Sequence, residues 1–505
     1  MGAIKGLMKD TAVYGLSSIV GRFLNWCLVP LYTYLFAAGE YGVVSFLYSF
    51  TAVALVILNY GMETGFFRYA NRDGNNPETV YTTSLISVGT TSLLFMLLIT
   101  VFLRPVSSLL HLSAHPEYVW MMGITVAIDA FTNLPFVYLR FKKKPLRFAA
   151  IKLLNVFMNI SLNLFFLLAC PWLMDHAPAT VSWFYVPMGG AAFGIGWIFL
   201  ANLLSTLTVL LALTPQLTHR RYRFNGLLLR RMLHYSWPLL VLGIAGILSQ
   251  NMGQMLMPYL FPGQRHAADV MVGIYAANMK IAIVMVMFTQ AFRYAYEPFI
   301  FAEAKEHDES KRRTYADATR YFVLFGLVIF LGVMFFLPVL RHFIAPAYWE
   351  GLAVVPIMMA AELCAGVFFN LSLWYKLTDR TKWGMYLSLI CFAVMLTLNV
   401  VLVKAIGIPD GYIGAAWAAL GGYFSVMVIS YLLGQKYFPI HYPVRRLGLY
   451  VLLAAAFYAV GEFLLDTPWE ALTLALRSLL LAAFVLIIIK KEHVPLPSLR
   501  HRRRQ

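Results

Sequence analysis

Apolar residues in this chain come in long runs separated by short polar joints, and the pattern repeats from end to end. Fourteen runs are long enough to cross a bilayer, whose core takes about 20 helical residues. They fall at roughly 11–36, 41–66, 79–103, 117–140, 147–170, 189–213, 232–260, 270–300, 315–340, 351–375, 382–404, 412–435, 446–465 and 468–490. The joints are too short for a folded domain, and the stretch at 171–188 is apolar-aromatic with a single Asp175–His176 pair. The pattern predicts an all-α integral membrane protein whose function is carried by its helices.

Basic residues orient these spans. With residue 1 placed in the cytoplasm, the internal joints and the two ends hold 31 of the 40 lysines and arginines. The external joints hold Arg104, Arg265, Arg341 and Lys404. Short cytoplasmic loops carry such an excess, and a span missed or invented in the middle would erase it. Fourteen transmembrane helices with both termini cytoplasmic are therefore expected. The net charge of +17 is a topology signal, not a footprint for nucleic acid, since no basic helix with interleaved aromatics stands outside the spans.

The chain is 60% hydrophobic and 12% charged, which fits the same class. Cys27, Cys170, Cys364 and Cys391 are isolated, with no CxxC or Cys/His spacing, and read as packing residues rather than metal ligands. The first run is too long for a signal-peptide core and carries Arg22 within it, so it reads as a retained helix. No cofactor is expected.

The two halves echo each other at an offset near 230 residues. Tyr41-Gly-Val matches Val272-Gly-Ile at 231, and Asn133-x4-Tyr138 matches Asn370-x4-Tyr375 at 237. Gly190-Ala-Ala and Gly414-Ala-Ala open the sixth and twelfth spans at 224. Six helices per repeat is an even number, so both repeats share one orientation: two parallel six-helix lobes with a cavity between them. The expected division is 1–225 for the first lobe, 226–440 for the second, 441–490 for two additional helices, and 491–505 for a basic cytoplasmic tail. Gly190 and Gly194, four apart, are read as a small-residue face that lets the sixth helix approach a neighbour.

Several stretches carry a resemblance. The opening KDTAVYGLSSIVGRFLNWCLVPLYTYLF, then EYGVVSFLYSF, YGMETGFFRYAN, YLRFKKKPLRFAAIKLLNVFMNISLNLFF and GYIGAAWAAL resemble the polysaccharide-biosynthesis flippase family of the MOP superfamily, which includes O-antigen and capsule repeat-unit flippases. The resemblance spans the whole chain, with the last two helices less distinctive. It implies a MATE-like pair of lobes working by alternating access in a bacterial inner membrane. The implied cargo is an undecaprenyl-pyrophosphate-linked oligosaccharide for lipopolysaccharide or other surface polysaccharide, and polymerase or ligase machinery would be a neighbouring partner. Related branches export drugs or flip the peptidoglycan lipid precursor, and both stay open as alternatives. A membrane glycosyltransferase, polymerase or ligase would need catalytic groups on a sizeable loop, which this chain lacks.

Charged residues inside spans are costly and mark pathways or buried pairs. Arg22 sits near the middle of the first span, with Asn25 one turn on and Pro30 set to bend the helix. Arg22, Asn25, Lys152 and Lys280 are the candidates for an anionic head group. Arg22 and Lys280 lie near mid-depth, one per lobe. Lys152 lies close enough to its loop to snorkel, and Lys280 has Glu362 as a possible ion-pair partner. Arg293 and Glu297, four apart on one face, read as an internal gate or ion pair, and Glu63 with Arg68 as the matching latch in the first lobe. Asp129, Glu362 and Glu63 are candidates for proton or sodium coupling, with simple neutralisation of Lys152 or Lys280 as the alternative. Glu462 and Arg477, outside the repeat, are expected to pair structurally.

Overall fold

The computed structural model describes residues 20–21, 23–218, 222–303, 309–378, 380, 382–465 and 468–492. Side chains are described for all of these except 294, 295, 297–303, 309–311 and 376. The principal helices are α1 (Leu28–Leu35), α2 (Ala38–Asn59), α3 (Met62–Ala70), α4 (Pro77–Val101), α5 (Pro116–Phe141), α6 (Pro145–Leu164), α7 (Gly196–Ala212) and α8 (Gly226–Leu260). They continue as α9 (Arg265–Glu303), α10 (Glu309–Phe335), α11 (Val354–Leu371), α12 (Lys382–Ile406), α13 (Gly411–Tyr437), α14 (Val444–Phe463) and α15 (Glu470–Glu492).

Twelve helical segments among the described residues are long and apolar enough to cross a membrane, and α7 is a shorter apolar helix. Each falls on one of the expected spans from the second onward. Of the first expected span, residues 20–21 and 23–36 are described, helical at 20, 21 and 23–26 and, after a turn at Cys27, over Leu28–Leu35. The sequence starts these helices with local devices. Asn76 accepts a bond from the Glu78 amide at the head of α4, with Pro77 in the first turn. Asn225 does the same for Leu228 in α8. Proline also opens α5 and α6, where its missing N–H costs nothing.

The second expected span is two helices. Tyr60 and Gly61 take left-handed φ values of 30° and 71°, which end α2 and restart the chain as α3. A Cβ on Gly61 would stand 3.1 Å from the Ser236 carbonyl oxygen, so the break and the close approach of α8 need the same glycine. A second departure concerns Gly190 and Gly194. Both have positive φ, 56° and 52°, and bracket a 3-10 turn that precedes α7. They shape the entry to the helix and are not on its face, which corrects the small-residue-face expectation. The helical glycine here is Gly196, packed beneath the Phe193 and Tyr118 rings.

The chain forms two compact units. The first comprises residues 1–277 and 382–422, the second 278–381 and 423–505. These groupings do not follow the repeat junction at 225/226, because α8 packs extensively on α12 and α2. In the first unit, Met62, Phe66, Tyr81, Leu134, Tyr138 and Met232 form a core where α3, α4, α5 and α8 meet. Gly414 lets α13 press on the α12 backbone, with the Leu402 carbonyl carbon 2.7 Å from where its Cβ would stand. In the second unit, Phe322, Leu327 and Phe335 of α10 pack with Tyr450 of α14 and Phe484 of α15. The two helices outside the repeat are thus part of that unit's core.

Candidate functional site

The first unit carries a polar seam through otherwise apolar helices. Tyr32 of α1 donates its hydroxyl to Asn163 Oδ1 of α6 at 2.9 Å. Asn163, fully buried, donates back to the Asn159 carbonyl oxygen at 2.8 Å, and Asn159 Nδ2 reaches Asn25 Oδ1 at 3.1 Å. Asn159 and Asn163 are four apart, so one face of α6 presents both amides. Asn25 itself is exposed. The seam therefore runs from an accessible amide to a buried hydroxyl.

A second group lies on α2, α5 and α7. Asn202 donates to the Tyr48 hydroxyl at 3.3 Å, and Thr206, four residues on, donates to Asp129 Oδ1 at 3.3 Å. The Lys152 charge bears on Asp129, and its ammonium stands 4.0 Å from the centroid of the Phe136 ring. Of the two readings of Asp129, ion coupling or neutralisation of Lys152, the arrangement contains the groups that both need. Ser49 Oγ donates to Gln254 Oε1 at 2.8 Å, which ties α2 to α8 within the same unit.

Replacing Asn163 by leucine is expected to cost about 1–3 kcal/mol for each buried partner left unpaired. Adding Tyr32→Phe should recover part of that loss, because one orphaned donor disappears. Thermal unfolding in detergent measures both, and an unshifted midpoint for Asn163→Leu would contradict the seam.

The remaining sequence candidates fall as follows. Arg22 and the Glu297 side chain lie outside the described residues. Glu63 pairs with Arg140 at 2.6 Å, while Arg68 lies over the Tyr235 ring at 4.0 Å. The expected Glu63–Arg68 latch is therefore replaced by a bridge from α3 to the end of α5, since helix α3 turns the two side chains to different neighbours. In the second unit, Arg293 of α9 stacks over Phe369 of α11 at 4.0 Å. Glu362 of α11 is buried and Lys280 of α9 half-buried. Arg477 donates to the Gly461 carbonyl oxygen at 3.0 Å and to Glu462 at 3.3 Å, the structural pair expected of α14 and α15. Asn202 and Thr206 were not singled out in the sequence, although their i, i+4 spacing in an apolar run was a usable signal. Among the described residues no group of three or more His, Cys, Asp and Glu gathers to hold a metal ion.

Residues 34–174 match the family described as "Polysaccharide biosynthesis protein". No curated sequence matches the chain. Among solved structures, the lipid II flippase MurJ in an inward closed conformation aligns with a TM-score of 0.63 at 12% identity, covering 96% of this chain and all of that one. An inward-facing multidrug resistance MATE family transporter of the MOP superfamily aligns with a TM-score of 0.62 at 15% identity, covering 84% of this chain and 94% of the other. The MATE multidrug transporter DinF-BH, solved with R6G, gives 0.60 at 15% identity over 85% and 95%. At these identities the shared feature is the fold, and its members are transporters and flippases. The apolar helices and this fold make the chain a multi-pass membrane protein, and its residues 34–174, which include α2 to α6, match the polysaccharide-biosynthesis family.

Proposed function

We propose that the protein is a flippase that moves an undecaprenyl-pyrophosphate-linked oligosaccharide from the cytoplasmic to the external leaflet of a bacterial inner membrane. The observation that carries this reading is the polysaccharide-biosynthesis match at 34–174, which includes α6 with the seam residues Asn159 and Asn163. A sugar–pyrophosphate head cannot cross hydrocarbon unaided, because buried polar and charged groups need partners there. The seam from Asn25 to Tyr32, and the group around Asp129, supply hydroxyls, amides and charges within the spans. Lys152, Lys280 and Arg22 supply the positive charge that a pyrophosphate requires. The two six-helix repeats act as lobes that expose the cargo first to one side and then to the other. Asp129 is the group we assign to proton or sodium coupling in the first lobe, and Glu362 its counterpart in the second.

The test is complementation in a host lacking its own repeat-unit flippase, scoring surface polysaccharide at matched membrane expression. Restored polysaccharide supports the reading. Unchanged polysaccharide with altered drug sensitivity would hand the protein to the exporter branch. Rescue of a peptidoglycan lipid-precursor flippase mutant instead would identify the other relative.

A further inference from the structure

At the start of α2, a Cβ built on Gly42 would stand 1.8 Å from the Asp269 carbonyl oxygen and 3.0 Å from the Gly273 amide nitrogen. At the start of α9, a Cβ on Gly273 would stand 1.9 Å from the Ala38 carbonyl oxygen and 3.0 Å from the Gly42 amide nitrogen. The two sets are mirror statements of one contact. Gly42 and Gly273 are 231 residues apart, and so are Ala38 and Asp269, which is the offset at which Tyr41-Gly-Val echoes Val272-Gly-Ile. Reciprocal contact between equivalent residues is the mark of a two-fold axis. That axis passes between these two glycines. The helices touch here backbone to backbone, in the geometry that allows Cα–H···O contacts.

The surroundings close the same point. Tyr41, Met271 and Val272 are buried, and a Cβ on Gly39 would lie 3.3 Å from the His266 ring and 3.4 Å from Val270. Arg265 pairs with Asp269 at 3.0 Å and stacks over Phe46 at 4.6 Å. The basic-residue bias puts the joints before α2 and before α9 on the external side.

We propose that the Gly42–Gly273 crossing is a clamp at the external mouth, which must part each time cargo leaves outward. The inference rests on the transport reading above. Glycine is required at both positions because only a missing side chain lets the backbones meet. Any Cβ wedges α2 from α9 and shifts the protein toward the externally open form, since the clash is with backbone and no rotamer relieves it.

The experiment uses the full chain in cells, with Cys27, Cys170, Cys364 and Cys391 replaced and Ser49→Cys added. Ser49 is on the same face as Gly42, seven residues further along α2, and is buried. A membrane-impermeant thiol reagent added outside should label this protein at background rate. Gly42→Val or Gly273→Val should raise that rate at least tenfold. Gly246→Ala on α8, where a Cβ meets nothing within 4 Å, should leave it at background. Background labelling in both valine variants, each folded by size-exclusion profile, would overturn the proposal. So would a rise seen only from the cytoplasmic face of inverted vesicles.

A second arm keeps both glycines. Gly39→Cys with Val270→Cys places two thiols within disulfide reach across the crossing. Oxidation should stop transport and reduction should restore it. Equal transport in both states would show that the crossing need not part. The labelling arm needs no cargo, so it can succeed or fail independently of the substrate assignment.

Discussion

Replacing Arg22 by alanine is expected to abolish surface polysaccharide in the complementation host, while Arg22→Lys keeps part of it. An arginine in the middle of a span costs roughly 2.5–3.5 kcal/mol to insert, so it persists there for a partner or a cargo. An isoprenoid pyrophosphate brings about two negative charges. A guanidinium grips two of its oxygens in parallel, and a hydrogen bond of that charged kind is worth about 1.5–3 kcal/mol. Losing it slows transport about 10- to 100-fold by that term alone. Lysine keeps the charge but not the fork, which predicts the intermediate phenotype. Full complementation by both variants, at equal membrane expression, would make Arg22 incidental to transport.

Arg320→Ala is expected to give the largest loss of stability of any single charge removal in the second unit. Arg320 pairs with Glu492 at 3.3 Å and with Asp317 at 3.0 Å, and the Glu492 side chain is only 3% exposed against 18% for Arg320. Removing one partner of a buried pair leaves the other uncompensated, at about 3–5 kcal/mol. Tyr450 donates to the same carboxylate and would remain beside it. Combining Arg320→Met with Glu492→Leu should cost much less than the sum of the two single changes, because neither charge is then stranded. Thermal unfolding of the purified protein in detergent measures all three. Strict additivity would show that the pair contributes nothing.

The architecture was legible because crossing a bilayer imposes one strong rule on sequence. Twenty apolar residues must come together, and each such run from the second onward coincides with a described helix, Lys382–Ile406 and Val444–Phe463 among them. What escaped were features decided by a single backbone angle or a distant partner. The break at Tyr60–Gly61 sits inside an apolar run with no proline to announce it. Gly190 and Gly194 look like a helix face until their positive φ values are seen. Glu63 has Arg68 five residues away, yet its partner Arg140 is on another helix, 77 positions along the chain. The seam residue Asn163 reads as one polar interruption in α6, and only its bond to Tyr32, 131 residues earlier, gives it a role.

The Arg320–Glu492 bridge also sets a clock for biogenesis. The two residues are 172 positions apart, so at about 5–20 residues per second the ribosome needs roughly 10–30 s to deliver the carboxylate after the guanidinium. During that interval α10 is already made, and Asp317 on the same helix is the acid at hand to accompany the arginine. The hydrophobic face that α10 offers to α14 and α15 stays uncovered for the same time. A ribosome stalled before codon 492 would therefore present membrane quality control with an unfinished helix packing and a half-satisfied charge together.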